Sequence, residues 1–240
     1  MKKAIIVFNK YAKQFNLKEK NIMLKYHHTF RVVDYALKIA ESLNLSDEDI
    51  KLAGISALLH DIARFYQYET YQTYSDSNSI DHGQKGYEIL LENNFINEFI
   101  DYDQDVVLNA VLYHNKLTIA SNLNEKTKLI ANIVRDADKI DILIEQGNVI
   151  KDLNPSINHE IVKSMLKEEL VKNELIKTDC DEILHNLAFI YDMNFKKTFE
   201  IVLETKVIEN KINLLSIYTN EDLKFVEDKL LFYAKERIKC

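Results

Sequence analysis

Four histidines and two aspartates in this 240-residue chain are of the right type to share a cation: His28, the adjacent pair His60-Asp61, His82, His114 and Asp138. His60 and Asp61 interrupt an apolar helical run, Leu58-Leu59-His60-Asp61-Ile62-Ala63-Arg64. Neighbouring residues on a helix point about 100° apart, so the pair can aim at one partner only from a helix end. Burying an ionisable pair there is costly unless something cationic lies between the two groups. A divalent ion meets that need, since it neutralises the carboxylate and fixes the tautomer of the imidazole. Every donor is an imidazole or a carboxylate, with no thiolate. Such a set suits Mn, Fe, Co, Ni or Zn, and Mg less well, rather than copper(I) or iron–sulfur chemistry.

The elements that must position these residues read as helices. Only four glycines and one proline occur, too few for the turns of a strand-rich fold. An uneven stripe over 2–16 (Ile5, Ile6, Phe8, Tyr11, Ala12, Phe15) predicts a helix that packs on the body. A longer helix over about 21–43 places Leu24, His28, Val32, Tyr35, Ile39 and Leu43 near one face, so His28 points inward while His27 stays partly exposed. Ser46 with Asp49 resembles a capping box for a helix over about 47–64 that delivers His60-Asp61 at its far end.

Residues 66–81 are polar and aperiodic and predict a loop, functional or disordered, whose Tyr66, Tyr68, Tyr71 and Tyr74 could wall a site or simply pack on the surface. Helices follow over about 82–93, 103–114 and 124–145, with His82 in a first turn and His114 near a C-terminal end. Asp138 and Asp141 share a face with Val134. Gly147 to Pro155 holds the clearest breakers. Beyond it come helices over about 158–172, 179–192, 195–213 and 220–238. The expected organisation is a packing helix over 1–20, a core over 21–147 and a helical extension over 148–240 wrapped on the same compact unit.

The composition, 47% hydrophobic and 29% charged, is that of a globular chain. A net charge of −7 argues against a broad nucleic-acid footprint and leaves room for a small phosphate pocket. Cys180 and Cys240 fit no disulfide framework or zinc spacing and are expected as free thiols in a reducing compartment. With no leader pattern and no apolar run of about 18 residues, the expectation is a cytoplasmic, non-membrane protein.

The order of the candidate ligands, with the text around them ("HTFRVVDYA", "LLHDIARF", "DHGQKGYEIL", "RDADKID"), resembles the HD-domain superfamily of metal-dependent phosphohydrolases over about residues 22–145. "DHGQKGYEIL" and the later "FIYDMNF" also resemble a group of bacterial HD proteins. The resemblance implies an all-α, HD-domain-like helical bundle with the C-terminal helical extension packed on it. It implies a primary metal on His28, His60, Asp61 and Asp138, with Asp138 preferred to Asp136 by its "AD-x" context. His82 and His114 then either hold a second ion bridged by Asp61, or face the substrate phosphate of a one-ion site as donors or general acids.

The reaction so implied is hydrolysis of a phosphoester or phosphoanhydride of a small molecule, a nucleotide being one candidate, by metal-activated water. Asp61 could in addition steer that water or take its proton. Lys25, Arg31, Arg64 and Lys139 are the candidate cations for phosphate oxygens; Arg31 and Lys139 are equally suited to salt bridges. Two other readings stand beside this one: a di-iron HD oxygenase, and a non-enzymatic sensor or scaffold tied together by metal. The expected partner is a small phosphorylated substrate, not long nucleic acid, with a homo-oligomer left open. His159 and His185 carry no expected role.

Overall fold

The computed structural model describes residues 1–93, 95–98 and 103–239, and Cys240 lies outside them. Among the described residues the secondary structure is helical, with no strand. The all-α class expected from the scarcity of Gly and Pro is what is found. The chain divides into two compact units, 1–138 and 139–240, and the division falls inside a helix.

The first unit opens with α1 (Lys2–Ala12) and α2 (Lys20–Ser42). Glu19 caps α2 by accepting from Ile22 N at 2.8 Å. Val32, Val33, Ala36, Ile39 and Ala40 form its buried stripe and bring His28 inside with them, while His27 is exposed. Leu24, expected on the same face, is instead 53% exposed. The α3 helix (Asp47–Leu59) is capped by Ser46 Oγ, which accepts from Asp49 N, and packs on α2.

The predicted helix to residue 64 does not run through. It breaks after Leu59, and α4 (Ala63–Tyr71) starts beyond the turn at His60-Asp61-Ile62. The expected loop over 66–81 is correspondingly shorter, because α4 extends to Tyr71 and a single 3-10 turn covers Asp76–Asn78. Next come α5 (His82–Glu92), α6 (Gln104–Tyr113) and α7 (Glu125–Glu145). Phe8, Tyr26, Phe30 and Phe65 make an aromatic cluster where α1, α2 and α4 meet.

The second unit takes the end of α7, then α8 (His159–Leu166), α9 (Asp179–Ala188), α10 (Lys196–Glu204), α11 (Val207–Thr219) and α12 (Lys224–Lys239). Gly147, at φ +62°, ends α7 in a conformation that L side chains rarely adopt. Thr178 and Asp181 form a reciprocal capping box on α9. The expected helix over 195–213 is two helices: Lys206, at φ +53°, turns the chain between α10 and α11. Phe199, Ile208, Leu215 and Leu230 are buried in this unit, and Cys180 is a buried free thiol there. No helix among the described residues is long and apolar enough to cross a membrane.

Candidate metal centre

His60 and Asp61 occupy the turn between α3 and α4, and the break lets two adjacent side chains address one point. His28 comes from α2, His82 is the first residue of α5, His114 follows the last residue of α6, and Asp138 stands on α7. All six belong to the first unit. His28, His60, Asp61, His82 and His114 are at most 5% exposed.

Asp61 lies in the middle. Its Oδ2 is 3.4 Å from His28 Nε2 and 3.6 Å from His60 Nε2. Its Oδ1 is 3.5 Å from both His82 Nε2 and His114 Nε2. Asp138 Oδ1 closes the first group, 3.1 Å from His28 Nε2 and 3.7 Å from His60 Nε2. Donors held about 2.1 Å from one ion stand about 3.0 Å apart at octahedral angles and about 3.4 Å apart at tetrahedral ones. The spacings therefore fit an ion beside each oxygen of Asp61.

The ring tautomers sharpen the point. Nδ1 of His60 lies 2.7 Å from Ala57 O, and Nδ1 of His114 lies 2.7 Å from Val111 O. A carbonyl oxygen only accepts, so Nδ1 carries the hydrogen in both rings. His82 Nδ1 lies 2.6 Å from Asp76 Oδ2. The pKa of Asp76 is lowered: burial pushes it up, and His82 with Arg64 outweighs that. Its carboxylate thus accepts as well. Burial, with help from Arg64, holds His82 down to about 3 against the opposing pull of Asp76, so the ring is neutral near pH 7.

With Nδ1 so engaged, the three rings turn Nε2 toward carboxylate oxygens and toward each other, His82 Nε2 lying 3.0 Å from His114 Nε2. His60 Nε2 is buried and makes no hydrogen bond. Imidazole nitrogens and carboxylate oxygens gathered in a buried place are a donor set that cations between them would satisfy. The residues present fit divalent metal.

Close approach of α5 and α6 completes the second group. A Cβ on Gly83 would sit 2.4 Å from Asn115 Oδ1 and 2.9 Å from Leu112 O, and one on Gly86 2.9 Å from Val111 Cγ1. Arg135 of α7 donates to Tyr113 O at 3.3 Å and to Lys116 O, holding the chain just beyond α6 where His114 sits.

The expected phosphate-holding cations are placed differently from one another. Lys25 Nζ donates to Asp61 Oδ2 at 2.8 Å. Arg64 Nε donates to Asp61 Oδ1 at 3.3 Å, while its Nη1 donates to Gln67 Oε1, Tyr74 O and Asp76 Oδ1. Arg64 thus spends Nε and Nη1 on the chain itself. Lys139 makes a salt bridge, one of the two roles open to it: its Nζ donates to the backbone oxygen and the carboxylate of Asp192. Arg31 lies three residues beyond His28 on α2 and is half-buried. Burial pushes the Asp61 carboxyl up, and Lys25, His60 and Arg64 overcome this to keep it well below the usual range.

Asp76 was missed by sequence reasoning. The signal available for it was only its place six residues ahead of His82. Of the four tyrosines in 66–81, Tyr74 comes nearest the site. Lys25 Nζ and Arg64 Cζ lie 5.5 and 5.7 Å from its ring centre, and its hydroxyl donates to Asn21 O at 2.9 Å.

An all-helical fold that gathers imidazole lone pairs around one buried carboxylate defines a helical metal-site protein. Residues 26–143 match the HD domain family, and by that domain the chain belongs to the HD-domain superfamily of metal-dependent phosphohydrolases, whose domains bind divalent metals. A dephospho-CoA kinase of Borreliella burgdorferi is 27% identical over 152 residues, covering 58% of this chain and 69% of that one. No solved structure gives a match.

Proposed function

We propose that this protein hydrolyses a phosphoester or phosphoanhydride of a small molecule, a nucleotide being one candidate, with two divalent ions that the residues around Asp61 would hold. The observation that carries the reading is the arrangement of Asp61, with one carboxylate oxygen beside His28 and His60 and the other beside His82 and His114. His28, His60, Asp61 and Asp138 would hold the first ion, and Asp61, His82 and His114 the second. When bound, such ions acidify a coordinated water and draw charge from a phosphoryl oxygen.

The chain's own groups do the rest. Lys25 neutralises Asp61 through one of its three N–H donors and offers the others to a phosphate oxygen. Asp138, with its side chain 19% exposed, is the most open of the six donors to water. The net charge of −7 favours a small phosphorylated substrate over long nucleic acid. The kinase name of the B. burgdorferi relative is not carried over, because no G-x-x-x-x-G-K segment occurs in these 240 residues.

A panel of phosphoesters and nucleotides with Mn, Co, Ni, Zn and Mg tests the reading, with His60→Ala as the control. The expected result is hydrolysis by the loaded wild type and a loss of at least about 100-fold in the variant. A His60→Ala protein that loses thermal stability while the wild type hydrolyses nothing would favour a metal-tied scaffold. The same bridged carboxylate favours one second reading, a di-iron oxygenase. Two bound irons with substrate-dependent oxygen uptake, and no phosphate release, would select it.

A further inference from the structure

We infer that Asp76 is the positioning residue of the second ion site, turning the Nε2 lone pair of His82 toward Asp61 and tying the 72–81 segment to that site. The inference rests on the two-ion reading above.

Its root is where each histidine falls on its helix. His60 and His114 follow the last residues of α3 and α6, where backbone carbonyls lack intrahelical partners, and each finds an acceptor for Nδ1–H three residues back. His82 opens α5, and a helix start presents N–H groups and no free carbonyl. An acceptor for its Nδ1–H must come from elsewhere. Asp76 supplies it at 2.6 Å, and an anion also suits the positive end of the helix dipole.

Both oxygens of Asp76 are in use. Oδ2 accepts from His82 Nδ1, from His82 N at 3.4 Å and from Asn115 Nδ2 at 3.2 Å. Oδ1 accepts from Arg64 Nη1 at 3.1 Å and from Gln67 Nε2 at 3.0 Å. Arg64 reaches on to Asp61, whose Oδ1 is 3.5 Å from His82 Nε2. The path Asp61–Arg64–Asp76–His82 thus closes a ring around the second group of donors. Gln67 and Arg64 also hold Ser79 Oγ and Tyr74 O, so the segment between α4 and α5 is pinned by the same network. The first group does not run through Asp76: His60 is oriented by Ala57, and Asp138 stands on α7.

The test is a stepwise titration of metal-stripped, full-length protein with Co(II), followed by calorimetry and visible absorption. Wild type is expected to take up two ions. His114→Ala, which leaves Asp76 untouched, should lose one and so identifies the second. Asp76→Ala is expected to weaken that ion about 10- to 100-fold and leave the first at wild-type affinity. Asp76→Asn, which keeps the shape of the side chain and so its folding, should weaken the same ion by less. Wild-type affinity for both ions in both variants overturns the inference alone, as does an equal loss of both ions. A wild type that binds a single ion overturns the two-ion reading itself.

Discussion

His60, His82 and His114 each give up Nδ1–H to an acceptor and keep Nε2 for the centre, and that shared geometry decides what substitutions should do. Asp61→Ala removes an oxygen from both groups at once. We expect it to lose both ions by elemental analysis and to lower hydrolysis by at least about 100-fold. It also leaves Lys25 and Arg64 without their carboxylate, and breaking a buried pair costs about 3–5 kcal/mol, so metal-free Asp61→Ala should unfold at lower denaturant than metal-free wild type. Unchanged unfolding would contradict that pairing. The ligand-type residues were legible because their order and flanking text resemble one family. Asp76 was not, since an aspartate in a polar run of Ser, Asn and Tyr is indistinguishable from a solvated turn until its partners are known. Arg64 and Lys139 were legible as cations, but their acceptors were not, because Asp76 and Asp192 lie 12 and 53 residues away in sequence.

Among the elements, the α3–α4 break and the α5–α6 approach set the site. Gly83→Ala places a methyl 2.9 Å from the Leu112 carbonyl, where backbone must yield. We expect a loss of about 1–3 kcal/mol in denaturant stability, the usual cost of overpacking. Weaker uptake of one ion should accompany it, since His82 adjoins the displaced residue. A fully stable variant with two-ion binding would contradict the close-approach argument. Helix existence was legible along most of the chain from the 3.6-residue stripes and the Ser46 cap. A helix end near His60-Asp61 was legible from the pair itself, but its place after Leu59 was not, because Leu58 to Arg64 has good helical propensity. The split at Lys206 had no local signal either: Thr205-Lys206-Val207 contains neither Gly nor Pro.

Over the whole molecule, stability should respond to metal and to alkali in separable ways. Ions that bind only the folded chain stabilise it by mass action, about 2.7 kcal/mol at a hundred times Kd. Thermal unfolding should therefore shift down with chelator and recover on adding back Mn or Co. In the second unit, burial lowers the pKa of Lys211 to about 8, from an ordinary 10.5. Its ammonium donates to Asn148 Oδ1 at 2.5 Å and to Gln146 O. Between pH 8 and 10.5 the unfolded chain keeps a proton that the folded chain has lost, so this group makes stability rise with pH across that window. Chemical denaturation from pH 7.5 to 10.5 should show a smaller rise for Lys211→Met than for wild type; parallel curves would contradict it.

Anomalous diffraction at the metal edge, from crystals grown with Mn or Co, addresses the account most directly. It should show one peak about 2.0–2.3 Å from Nε2 of His28 and His60 and from the carboxylates of Asp61 and Asp138. A second should lie among Asp61, His82 and His114. Metal found only on surface carboxylates, with none at Asp61, would contradict the account.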